Sequence, residues 1–194
     1  MDGEVAKMAC TDPPFDLEDF GFVKTLEDFT QDAVAFVMLG DAQVQPLLAE
    51  TKMTCSRFFM LDLGLCLRTP LNDDAYIAHV LVARLHNGDP PPFQKLGDGY
   101  RTIIKTKYRG NMSDEERVGH DHQKEVQVVG GFIAHHSQPG DLILDLFLGS
   151  GTTIIASDLL ERRCYGMELD PAYCDIIVQR FRDATGEEAI RWDN

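Results

Sequence analysis

Apolar residues fall in short continuous blocks through the first half of the chain and at helical spacing through much of the second. Val5–Cys10 is a short apolar segment that runs into Thr11-Asp-Pro-Pro, which predicts a buried strand ending where proline can no longer donate to a ladder. Ala33–Leu39 and Ser56–Leu63 predict two more buried strands, with a helix over Val44–Glu50 between them. Tyr76–Leu85 predicts a fourth strand, antiparallel because only the turn-rich Pro70–Asp74 precedes it. From Asn87 to Gly119 the pattern breaks: Gly, Pro, Asp and basic residues dominate, and only Thr102–Thr106 reads as a strand. Periodicity returns as a helix over Lys124–His136, a strand over Leu142–Leu146, a helix over Thr152–Glu161 and a strand over Cys164–Leu169. A helix over Ala172–Thr185, stopped by Gly186, and a last short strand over Ala189–Trp192 complete the pattern. Strands alternating with helices of this length predict an α/β fold, a mostly parallel sheet with helices on both faces.

Composition narrows this. The 194 residues, 44% hydrophobic, suit one domain over 1–194, with 87–119 as an insertion. Nothing approaches the roughly 18 consecutive apolar residues of a membrane span, and the acidic N-terminus does not read as a signal peptide, so a cytoplasmic protein is expected. Cys10, Cys55, Cys66, Cys164 and Cys174 are odd in number, lack C-x-x-C pairing and mostly sit in apolar runs, as reduced core residues would. A net charge of −14 argues at first against a polyanionic partner. The distribution changes that: Arg84–Arg109 carries six basic residues against two acidic ones, leaving −18 on the rest. A solvated loop explains this segment, and so does a basic surface for a polyanion on an otherwise repelling body.

Two motifs carry candidate chemistry. Asp145-Leu-Phe-Leu-Gly149-Ser-Gly151-Thr-Thr153 leaves a strand through a glycine turn and opens a helix, a geometry that lets a ligand approach the backbone. Glu168 lies 19 residues after Gly149, where an acid can bind a ribose diol. The third glycine of a dinucleotide fingerprint would fall at Ile154 and no Gly-Lys-Ser/Thr follows, so an adenosine ligand without phosphates fits best. S-Adenosylmethionine meets these needs.

The second motif, Asp12-Pro13-Pro14-Phe15, suits an exocyclic amino group, a poor nucleophile because its lone pair is delocalised into the ring. Asp12 and the Pro13 carbonyl accepting both N–H protons would localise that pair, the prolines fix the backbone, and Phe15 can stack on an extruded base. Asp89-Pro90-Pro91-Pro92 is a competitor that lacks the aromatic fourth residue. A metal site from His120, His122, His135 and His136 is conceivable but has neither an i, i+4 pair nor a cysteine partner; surface histidines are the plainer reading.

Here a resemblance becomes explicit. Asp145–Thr153 and Gly166-Met-Glu-Leu-Asp-Pro-Ala-Tyr173 resemble the S-adenosylmethionine motifs of amino-group (N6-adenine/N4-cytosine) DNA methyltransferases. Asp12–Phe15 resembles that family's Asp-Pro-Pro-Tyr, with Phe for Tyr. His120-Asp-His-Gln-Lys124-Glu-Val126 is similar to its His-Pro-Thr-Gln-Lys-Pro-Val, with both prolines replaced. The order, acceptor motif first and donor motif later, resembles the circularly permuted β-class. The resemblance implies a Rossmann-like class I methyltransferase with a seven-stranded sheet. It implies that Asp145, Phe147, Gly149, Ser150, Gly151 and Thr152 line the donor, that Glu168 and Asp170 serve its ribose end, and that His120 and Lys124 contact its methionine end. Asp12, Pro13, Pro14 and Phe15 would hold a flipped base, with DNA contacts from Lys95, Arg101, Lys105, Lys107 and Arg109. The implied activity is methyl transfer from S-adenosylmethionine to adenine N6, with cytosine N4 as the first alternative. An RNA-acting or non-catalytic relative and a homodimer are compatible with the same residues.

Overall fold

The computed structural model describes residues 3–67, 77–89, 93, 94, 96, 101–106, 124–188 and 190. Strands β1 (Ala6–Thr11), β2 (Thr30–Leu39), β3 (Thr54–Leu67), β4 (Ile77–His86), β5 (Ile103–Lys105), β6 (Leu142–Asp145) and β7 (Arg163–Gly166) form one sheet, ordered β5-β3-β4-β2-β1-β6-β7. Helices α1 (Phe22–Phe29), α2 (Val44–Glu50), α3 (Val126–His136), α4 (Thr152–Leu159) and α5 (Pro171–Thr185) connect or flank them. β1 pairs in parallel with β2 and β6, and β6 with β7, whereas β4 is antiparallel to both β2 and β3. The sheet is therefore mostly parallel, as the alternation predicts, with β4 reversed, as its short connection predicts.

Side-chain alternation sorts the core into two layers. Along β2, Ala33 is buried with Ala35, Val37 and Leu39 on one face, where α1 and α2 add Val23, Leu26 and Leu47. Val34, Phe36 and Met38 face the other side, against Val128, Val129, Phe132 and Ile133 of α3. Phe36 stacks on Phe132 at 4.6 Å between ring centroids, and truncating so enclosed an aromatic costs about 3–5 kcal/mol. His136 packs edge-on to Phe36 and bonds the Phe132 carbonyl through Nδ1; burial depresses its pKa to about 4.

Several expectations change. α1 is absent from the sequence pattern: it has eight residues, no side-chain N-cap bond, and runs into β2 without a linker. β7 ends at Gly166, so Glu168 lies beyond the strand in a loop. Of the described cysteines Cys10 is buried, while Cys55 and Cys164 are half-buried and Cys174 is exposed, so most are not core residues. The 87–119 segment is partly integrated: β5 extends the sheet beside β3, and Gln94 is bonded to the His135 and Ser137 carbonyls at the end of α3. His135 and His136 are buried there rather than on the surface. Ala189 and Trp192, the ends of the expected last strand, lie outside the described residues. Among the described residues no helix is long and apolar enough to cross a membrane.

The crossover from β1 goes through α1 to β2, and that from β6 goes through α4 to β7 on the other side. The connections diverge between adjacent β1 and β6, the kind of switch point where open α/β sheets open a crevice beyond the strand C-termini.

Candidate active site

Both motifs leave the sheet at this crevice. Asp12 follows the last residue of β1, and Asp145 is the last residue of β6. A cleft of about 680 Å³ is lined by Asp12, Pro13, Pro14 and Phe15 on one side and by Phe147, Gly149, Glu168 and Asp170 on the other. It adjoins a narrow recess of about 50 Å³ bounded by Asp12, Lys124, Asp145, Ser150, Thr152 and Thr153; Phe147 and Gly149 border both. The competitor Asp89 sits past the end of β4, where its N–H bonds Asp32 at 2.9 Å. Because β4 runs against its neighbours, that is the opposite edge of the sheet.

The glycine turn is shaped by its backbone. Gly149 and Gly151 have φ of 52° and 81°, and a Cβ at Gly151 would lie 3.1 Å from Ile177 of α5. Left-handed conformation and close helix approach both call for glycine at Gly151. Arg180 of α5 donates to the Ser150 carbonyl at 2.5 Å and to its hydroxyl at 3.0 Å, tying the turn down. Gly166 admits Leu148, whose side chain would lie 2.5 Å from a Cβ there.

Glu168 reaches back over this turn. Its Oε2 accepts the Gly149 N–H at 2.8 Å, and its Oε1 accepts those of Leu169 and Asp170 at 2.8 and 2.9 Å. Asp170 itself caps α5, accepting the Ala172 N–H at 2.8 Å with Pro171 at the first helical position. Asp145 is 3% exposed and accepts the Phe147 N–H at 3.0 Å. Burial is the main force that pushes its carboxyl up to about 6, against hydrogen bonding that favours the ionised form.

On the Asp12 side of the cleft, Lys124 Nζ lies 2.5 Å from Asp12 Oδ2 and 5.6 Å from the Phe15 ring centroid. The Lys124 carbonyl accepts the Thr152 hydroxyl at 3.2 Å, so the segment before α3 touches both motifs. Asp12 Oδ1 is buried without a hydrogen-bond partner among the described residues. Phe15 is 40% exposed at the cleft mouth.

Arg101 and Lys105 are exposed on and beside β5, several strands away from the cleft. Because β5 runs with β3, Lys105 ends its strand on the same sheet edge as Asp12. Lys95, Lys107, Arg109 and His120 lie outside the described residues. The sequence missed Phe22, whose ring meets Phe147 edge-on at 5.2 Å, and Thr25 of the cleft wall, because α1 carried no signal of its own, and Leu17 in the loop before it. It also missed Arg180, one of several polar positions on an exposed helix.

Residues 87–179 match a family model described as DNA methylase. The type II methyltransferase M.HinfI of Haemophilus influenzae is 34% identical over 73 residues, which is 37% of this chain and 20% of that protein. M2.MboI of Moraxella bovis is 38% identical over 66 residues, 34% of this chain and 24% of that one. The chain thus spans about a quarter or less of the length of these curated relatives. Among solved structures, M1.HpyAVI in complex with SAM aligns with a TM-score of 0.75 at 16% identity, over 92% of this chain and 90% of that one. The PvuII DNA methyltransferase, cytosine-N4-specific, aligns at 0.74 and 17% identity, over 93% and 82%. Identities this low establish a shared fold. Over residues 87–179, a little under half of its length, the chain is similar to the DNA methylase family and to these type II methyltransferases.

Proposed function

We propose that the chain transfers a methyl group from S-adenosylmethionine to the N6 amino group of adenine in DNA. The observation that carries this reading is the single cleft in which Asp12–Phe15 faces Gly149 and Glu168. The donor pocket fits the molecule proposed for it. Glu168 Oε2, which accepts one backbone bond, keeps acceptor capacity at the rim for a ribose hydroxyl, and the turn at Gly149 and Gly151 lets the ligand meet bare backbone. Asp145 puts a buried acid, ionised above about pH 6, near a cationic ligand. When bound, S-adenosylmethionine supplies an electrophilic methyl group on a sulfonium, whose thioether leaves without needing an acid.

The protein's part is positioning. Phe15 stacks on the extruded base. Asp12 and the Pro13 carbonyl accept the two amino protons and draw the nitrogen toward tetrahedral geometry, and Asp12 Oδ1 has the free acceptor capacity this requires. Lys124 holds the other carboxylate oxygen, which keeps the Asp12 side chain aimed. Exposed Arg101 and Lys105, with Lys95, Lys107 and Arg109, supply phosphate contacts on an otherwise acidic molecule.

Cytosine N4 is the second reading, favoured by the likeness to the cytosine-N4-specific PvuII fold. Purified protein is incubated with methyl-labelled S-adenosylmethionine and DNAs lacking either adenine or cytosine. Label on adenine-containing DNA alone is expected. Label on adenine-free DNA overturns N6 in favour of N4, and no label on any DNA removes both in favour of an RNA-acting or non-catalytic relative.

A further inference from the structure

The two prolines that stiffen the acceptor loop also strip it of backbone donors, since neither Pro13 nor Pro14 has an N–H. At these two positions the backbone can be tied down only through its carbonyls. The Pro14 carbonyl is tied twice: it accepts the Leu17 N–H at 3.0 Å and the Gln43 side-chain amide at 2.8 Å. The Pro13 carbonyl accepts no such bond among the described residues. Gln43 is 3% exposed in the turn that follows β2, and both ends of its carboxamide are engaged. Its Oε1 accepts the Gly40 N–H at 3.0 Å, and its own backbone N–H bonds the Gly40 carbonyl at 3.0 Å. The same turn lies against Phe15, whose ring is 3.8 Å from where a Gly40 Cβ would be.

We propose that Gln43 is a positioning residue of the acceptor site, a brace that saturates the Pro14 carbonyl so that Asp12 and the Pro13 carbonyl keep one orientation toward the cleft. A carbonyl oxygen has two lone pairs, and here both are used on Pro14, so that oxygen is withdrawn from competition for the amino protons. The inference rests on the reading of Asp12–Phe15 as the amino-group acceptor. A buried glutamine that merely satisfies its own turn would need only the Gly40 bonds; the reach of 29 residues to Pro14 is what that role leaves unexplained.

Gln43→Glu and Gln43→Met separate the possibilities. The first keeps the acceptor for Gly40 and, assayed at a pH where it is ionised, loses the donor to Pro14; the second keeps the length and loses both. For each, kcat and KM on DNA, the dissociation constant for S-adenosylmethionine, the melting temperature and the amide exchange rate of Leu17 are measured. The expected result is a kcat lower by about tenfold to a hundredfold, donor affinity within about twofold of wild type, and faster Leu17 exchange in both variants. Wild-type kcat and unchanged Leu17 exchange in folded variants overturn the brace, and so does a loss of donor affinity in step with kcat. Wild-type protein that methylates no DNA overturns the acceptor reading instead, and faster Leu17 exchange would then still show the brace.

Discussion

At the scale of single residues, the site contrasts two aspartates on adjacent strands. Asp12 is partly open and paired with Lys124; Asp145 is enclosed, and burial raises its pKa to about 6. Asp12→Ala is expected to lower methyl transfer by about 10²–10³ with a much smaller effect on donor affinity, because on the proposed reading it removes an acceptor for the amino group. Lost donor binding in that variant, measured by calorimetry, would mean the half-sites are misassigned. For Asp145 the sign is the reverse of a paired carboxylate. The folded protein retains a proton there between pH 3.8, the unfolded value, and about 6, so the group's destabilising effect grows as pH rises through that window and is complete above it. Asp145→Asn should therefore raise stability at about pH 7.5 by on the order of 1–3 kcal/mol and flatten urea midpoints between about pH 4 and 6. Its affinity for S-adenosylmethionine should fall, and wild-type affinity should rise with pH through about 6.

At the scale of elements, the donor turn depends on α5 more than its sequence suggests. The helix has no fully buried residue, yet Ile177 presses on Gly151 and Arg180 holds Ser150. Gly151→Ala would put a Cβ at φ 81° and 3.1 Å from Ile177, with an expected cost of about 1–3 kcal/mol and weaker donor binding. Denaturant midpoints and donor titration check this; a variant as stable as wild type would show that α5 yields freely.

At the scale of the molecule, a net charge of −14 opposes DNA everywhere except where basic residues are grouped. Lys105 lies on the same sheet edge as the Asp12 cleft, and Arg101 is exposed on the same segment. Replacing both with glutamate should weaken DNA binding steeply at low salt and less at high salt, with donor affinity unchanged. The salt slope should fall by about 0.9 for each phosphate that is no longer neutralised. Equal slopes in filter-binding titrations would place the DNA surface elsewhere.

The core strands were legible because their residues announce burial: β2 is apolar on both faces, and β1 stops at a proline pair. The two motifs were legible because glycine and proline constrain the backbone locally, whatever surrounds them. Glu168 stood 19 residues from Gly149 in sequence and proves bonded to it, so that spacing carried geometry. What sequence could not specify depends on long-range register. α1 is too short and uncapped to signal itself, and the opposite-edge placement of Asp89 follows from the reversal of β4. Gln43 reads as an ordinary polar residue until the turn after β2 is folded against Pro14. Local sequence thus determined which backbones are stiff and which polar side chains stand beside them. Only the tertiary structure decided which of them meet, because pairings such as Lys124 with Asp12 join residues whose separation leaves no periodic trace.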